Sequence, residues 1–157
     1  MILRLPLIHK FVFAISLAVF SVSILSQYAG DAKPCQLCLI SRYSFLSIAI
    51  LSYFSGFSDK LRSILFSAIF LLFAFSFYHL GVENHWWAGP QSCVSELPTL
   101  SNLSEFNTTS NKVFCDKANW IIFGLSSTLW SFLIAAFLAW LISISYILNY
   151  YLDRKDD

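Results

Sequence analysis

Four long stretches of this chain carry no charged residue, and they limit its possible folds more than any other feature. Phe11–Tyr28 spans 18 residues, Tyr43–Ser58 16, Ser63–Gly81 19 and Ala118–Leu152 35. A helix rises about 1.5 Å per residue, so roughly 20 apolar residues cross a hydrocarbon core of about 30 Å. The first and third stretches fit single spans, and the second reaches 21 residues as a helix over 37–57 that takes in Arg42. The fourth would extend about 52 Å as one helix, so its polar start, Gly124–Thr128, is read as lying partly in the interface. The expected fold is an all-α integral membrane four-helix bundle. It forms one domain over residues 1–157, with helices near 11–28, 37–57, 63–81 and 120–150 and a large outer loop over 82–117. Composition agrees: 57% of residues are hydrophobic and 12% charged, half the ~25% charge of soluble domains.

Charge sets the expected orientation. With the N-terminus inside, the inner segments hold Arg4, Lys10, Lys60, Arg62, Arg154 and Lys155, and the outer ones Lys33, Lys112 and Lys117. That excess favours both termini in the cytoplasm. Cys35, Cys38, Cys93 and Cys115 then share the outer side, where an oxidising compartment permits disulfides. Residues 1–28 are read as a retained span, because the apolar stretch exceeds a usual signal-peptide core and no A-x-A site follows. A net charge of +1 gives no support for a nucleic-acid partner, and neither glycine-rich nucleotide motif occurs.

The chemistry concentrates at Cys35-Gln36-Leu37-Cys38, placed after Pro34 at the lip of the second span. Proline suits the first turn of a helix, which puts both thiols at a helix N-terminus. Free N–H groups and the helix dipole there lower a thiol pKa. With two residues between them the sulfurs can close a small ring, so the pair can cycle between dithiol and disulfide. The plain alternatives are a static bridge or part of a metal site. No metal is expected, since Cys93 and Cys115 lack the second CxxC knuckle of a Cys₄ zinc site. A c-type haem would need His in place of Leu39.

Arg42 lies one turn deeper on the same helical face as Cys38. A charge inside an apolar helix costs several kcal/mol unless it snorkels or meets a partner. Its guanidinium could donate to a carbonyl oxygen of a lipid-soluble acceptor, or it could rest against a phosphate headgroup. His79 and Glu83, at i and i+4 near the end of the third span, are candidates for proton supply or simple interfacial polar residues. Trp86-Trp87 are expected at headgroup level. Cys93 and Cys115 have 21 residues between them; bridged, they could form a staple contributing roughly 3 kcal/mol or exchange with the first pair. Four cysteines allow three pairings, and the sequence leaves the choice open.

Pro34-Cys35-x-Leu37-Cys38-x-x-x-Arg42, with a cysteine pair in the second outer loop, resembles the bacterial disulfide bond formation protein B (DsbB) family. Tyr78–Glu83, Trp86–Pro90 with Cys93, and Gly124-Leu125-Ser126 with Trp130 are similar too, so the resemblance covers essentially the whole chain. It implies an inner-membrane enzyme that reoxidises a DsbA-like periplasmic thioredoxin-fold carrier and passes the electrons to a membrane quinone, ubiquinone or menaquinone. By position, the resemblance implies that the carrier attacks a Cys93–Cys115 bridge at Cys93, and that Cys115 then attacks Cys35. Cys38 would hand electrons to a quinone held near Arg42, for which His79 and Glu83 remain the candidate proton-supplying groups read from the residues themselves. Vitamin K epoxide reductase-like proteins also use four helices, but their CxxC precedes a later helix. The rival reading is a four-helix membrane scaffold with structural disulfides and a partner-binding outer loop.

Overall fold

The computed structural model describes residues 5–29, 34–90, 115, 117–118 and 120–156. Its helices are α1 (Leu5–Ala29), α2 (Gln36–Phe54), α3 (Asp59–Glu83) and α4 (Ser127–Asp156). A 3-10 turn, Ser55–Phe57, joins α2 to α3, and a hairpin of β1 (Ile121–Ile122) and β2 (Leu125–Ser126) precedes α4. All four helices are long and apolar enough to cross a membrane. The fold is therefore the all-α membrane bundle that the uncharged stretches imply.

Helix ends depart from those stretches for identifiable reasons. α3 starts at Asp59 rather than Ser63, because a charged residue ends burial without ending a helix. Asp59 complements the positive end of the helix dipole and meets Arg62 at 2.9 Å. α4 starts later than residue 120, since Phe123 and Gly124 have φ of 51° and 80°, a left-handed pair that no α-helix contains. A two-residue hairpin turn wants positive φ at both central positions, and it pairs Ile122 with Leu125 and Ile121 with Ser126. Ser126 Oγ then accepts from the Leu129 N–H at 3.2 Å and caps α4. The Trp130 indole donates to the Ile122 carbonyl at 3.1 Å and pins the hairpin to the helix. Of the expected loop over 82–117, Val82 and Glu83 belong to α3; Cys93 and residues 101–112 lie outside the described residues.

α1 packs mainly on α2 and α3 on α4, with α2 and α3 joining the two pairs. Val12, Phe45, Ile48, Leu65, Ile69 and Leu138 form the centre of the bundle. Buried Ser16, Ser76 and Ala135 are small enough to let helix backbones approach, as suits association in lipid. Leu71 and Trp140, by contrast, are 71% and 58% exposed and face where lipid would lie. Along α3 the buried side chains Leu65, Ile69, Leu72, Ser76 and His79 recur every three or four residues and so share one face. The same register that builds the core carries His79 inward.

Candidate redox site

Cys35 is the N-cap of α2, with φ −73° and ψ 171°. Its sulfur accepts the Cys38 N–H at 3.3 Å, the place a Ser or Asp oxygen usually takes. Pro34 is thus one residue outside the cap, rather than in the first turn. The cap geometry also aims the two sulfurs at each other: Cys35 Sγ donates to Cys38 Sγ at 2.8 Å. A disulfide bond measures about 2.05 Å, so closing the ring takes a shift of under an ångström. His79 Nε2 completes the group, 3.7 Å from Cys35 Sγ and 4.0 Å from Cys38 Sγ.

The lowered thiol expected at the helix cap is not what Cys35 becomes. Donation of its S–H to Cys38, together with burial away from water, pushes its pKa up to about 12. The neighbouring imidazole and the capping N–H act in the opposite sense and are outweighed. The reduced pair therefore holds a second proton tightly, and its first negative charge is shared across a short S–H···S contact. The cap dipole is real, but a second thiol one turn away dominates it.

Arg42 is buried, and α1 holds it. Nε donates to Ser23 Oγ at 2.7 Å, one terminal nitrogen to Gln27 Oε1 at 2.6 Å and the other to the Ser23 carbonyl at 2.8 Å. Charge-assisted bonds of this kind offset the cost of burying the ion. A guanidinium has five N–H donors, so the described residues leave two uncommitted. Ser23 and Gln27 escaped the sequence reading, although two polar residues at i and i+4 in an apolar helix mark a face with a polar partner.

A cavity of about 70 Å³ lies where all four helices meet, lined by Cys38, Arg42, His79, Ser23 and Thr128 among others. Cys38 faces it, whereas Cys35 lies within a buried cluster with Leu37, Val82 and Cys115, against which Cys38 also packs. Both cysteines touch the cluster, but only Cys38 also borders the cavity. Glu83 does not join this cavity. It lines a second one of about 450 Å³ with Leu80, Trp86, Ile121 and Leu125, although its charge still reaches Cys38. That second cavity sits beside the end of α3, where the Trp86 N–H bonds to the Gly81 carbonyl at 2.8 Å and the His85 N–H to Val82 at 3.2 Å. With His85 at φ 58° this is a Schellman motif. It folds Trp87 back so that its indole donates to the Tyr78 carbonyl at 2.9 Å and stacks on the Tyr78 ring.

A dithiol at a helix cap, beside an imidazole and a buried guanidinium, within four membrane-crossing helices, defines a membrane protein of thiol–disulfide chemistry. The family model described as "Disulfide bond formation protein DsbB" matches residues 7–145, and the chain belongs to that family. It is 24% identical over 130 residues to the Disulfide bond formation protein B of Aromatoleum aromaticum (strain DSM 19018 / LMG 30748 / EbN1), covering 76% of this chain and 78% of that protein. No solved structure matches the chain.

Proposed function

We propose that the protein is a thiol:quinone oxidoreductase of a bacterial inner membrane, with both termini cytoplasmic and its cysteines facing the periplasm. It reoxidises a DsbA-like dithiol carrier. The carrier's thiolate attacks Cys93 of a Cys93–Cys115 bridge and releases Cys115. Cys115 attacks Cys35 of the Cys35–Cys38 bridge, forming a Cys115–Cys35 bond and releasing Cys38 as thiolate. The carrier's second thiol displaces Cys93, and the carrier leaves oxidised. Cys93 attacks Cys115, re-forming their bridge and releasing Cys35. Cys35 and Cys38 then close their bridge as two electrons pass by way of Cys38 to the quinone, which takes up two protons.

The observation that carries this reading is that Cys38, and not Cys35, lines the cavity, while both cysteines adjoin Cys115. Cys35 shares a buried cluster with Cys115, and Cys38 lines the cavity with Arg42 and His79. Electrons arriving at one sulfur and leaving from the other fit that arrangement. Arg42 offers its uncommitted N–H groups to a quinone carbonyl, and His79 is the base nearest both sulfurs. Glu83, in the wider opening, supplies protons from the aqueous side. A cavity of about 150 Å³ admits benzene, so the 70 Å³ space beside Cys38 must open to take a quinone ring. Ubiquinone and menaquinone both satisfy this chemistry.

Purified protein mixed with quinone and a reduced dithiol carrier should bleach the quinone absorbance. Cys38→Ser should abolish that bleaching while the Cys93–Cys115 pair still exchanges with the carrier. Turnover surviving in Cys38→Ser would remove Cys38 from the electron path and sink the proposal. The scaffold reading makes the opposite prediction, that the bridges ignore quinone supply altogether.

A further inference from the structure

We propose that the reduced site is also a binding site for a soft divalent cation of the zinc class, held by Cys35, Cys38 and His79. Sequence spacing does not join these residues, since His79 lies 41 positions from Cys38. The fold brings one donor atom from each to within 4.8 Å of the others. With zinc–sulfur bonds of about 2.3 Å and zinc–nitrogen bonds of about 2.0–2.1 Å, tetrahedral geometry sets S···N at about 3.6 Å and S···S at about 3.8 Å. The observed S···N distances are 3.7 and 4.0 Å. Only the sulfurs, at 2.8 Å, must part by about an ångström, which rotation of the less constrained Cys38 side chain supplies.

Three further features fit a metal. Cys35 and His79 are 2% and 3% exposed, so their donor atoms are fixed by the cap of α2 and the core face of α3 before any ion arrives. The adjoining 70 Å³ cavity has room for a water, whose share of liquid volume is about 30 Å³, as a fourth ligand. Two thiolates also neutralise a dication, so the Arg42 guanidinium on the cavity wall faces an uncharged centre. Binding forms two metal–sulfur bonds and one metal–nitrogen bond and releases the two thiol protons. No electrons move. The disulfide form has no thiolates to offer, so capture is confined to the reduced site, and it blocks re-formation of the bridge. The inference does not depend on quinone, because two thiols and an imidazole suffice.

Cobalt(II) is the probe, added to the full-length chain in lipid nanodiscs under a phosphine reductant. A Cys93→Ser/Cys115→Ser background leaves Cys35 and Cys38 as the sole thiols. The expected result is a sulfur-to-cobalt charge-transfer band with tetrahedral d–d bands, saturating at one ion per chain, displaced by zinc and missing from the oxidised protein. His79→Ala should weaken binding by at least the tenfold to hundredfold that changes around a metal site commonly cost, and should alter the d–d bands. Unchanged affinity and spectrum in His79→Ala, or equal binding by the oxidised protein, would overturn the proposal. Should His79→Ala fail to fold, the unsubstituted protein still decides: zinc must slow alkylation of Cys35 and Cys38 together, and undiminished alkylation refutes the site.

Discussion

Among the described residues, two buried polar knots, one at each end of the bundle, tie α1 to α2. At the end opposite the cysteines, Ser52 Oγ donates to the His9 carbonyl at 2.7 Å, and the His9 ring meets Ser55 Oγ at 3.0 Å. At the cysteine end, Arg42 makes three bonds to Ser23 and Gln27. Both cross-link the same helix pair through side chains that a lipid environment would otherwise penalise. The difference is what surrounds them. Arg42 keeps uncommitted donors and lines a cavity shared with a thiol and an imidazole, whereas His9 bonds with Ser52 and Ser55, at the end away from Cys35 and Cys38. One knot is built to hold helices, and the other holds helices while facing a space where something can bind.

The sharpest way to break that comparison is to remove each knot in turn. Under the proposed function, Arg42→Ala should raise the apparent KM for quinone by roughly a hundredfold, equivalent to two lost hydrogen bonds to a charged group at about 1.5 kcal/mol each. Exchange between the cysteine pairs should remain measurable. His9→Ala should cost roughly 1–2 kcal/mol of stability through the lost bond and the space left behind, with quinone KM unchanged. Thermal unfolding in detergent and quinone titrations of both variants supply the test. A KM shift in His9→Ala equal to that in Arg42→Ala would erase the distinction between the knots.

How much of this was legible beforehand follows from the physics of each part. The spans could be read because lipid forbids charge over about 20 residues, and that rule leaves a mark on every residue of a helix. The CxxC could be read because its spacing is local. Arg42 reads as a charge that must snorkel or meet a partner, but its partners on α1, Ser23 and Gln27, depend on how two helices pack. The pairing of His79 with the sulfurs and the place of Glu83 in a second cavity were invisible for the same reason. Residues at i and i+4 share a helix face, yet here the helix ends at Glu83, and the two side chains enter different cavities. The hairpin before α4 hid inside an apolar stretch, because its cause is backbone φ at Phe123 and Gly124 rather than hydropathy.

A second test concerns the cysteine end alone. If donation to Cys38 is the main reason Cys35 is pushed up to about 12, then Cys38→Ala should let its pKa fall. Sign and size can both be stated. Below both pKa values the thiolate fraction grows tenfold for each unit the pKa drops, and the accompanying loss of nucleophilicity takes back about half of that logarithm. Alkylation of Cys35 near pH 8.5 should therefore quicken roughly threefold per unit, in the Cys93→Ser/Cys115→Ser background where it is then the only thiol. The pH midpoint of the rate should move down from the alkaline region. A rate and midpoint unchanged from the reduced Cys35–Cys38 pair would mean that burial alone holds the proton.

The smallest effect sits at the end of α3, where Trp87 folds back over the helix. A methyl group at Gly81 would collide with the Trp87 indole, so the ring can lie there only because position 81 has no side chain. Gly81→Ala should add helix propensity worth up to about 1 kcal/mol and lose an overpacked contact worth about 1–3 kcal/mol, for a net destabilisation of about 1 kcal/mol. The more telling readout is local. The indole should leave the Tyr78 carbonyl that it bonds at 2.9 Å and move into water or headgroups, which a red shift in Trp87 fluorescence would report once the other four tryptophans are replaced by phenylalanine. The His9 knot, at the far end of the bundle, should keep its amide-exchange protection. Loss of protection there as well would mean that the two ends unfold as one unit, and that separate structural and functional knots are a feature of the static fold alone.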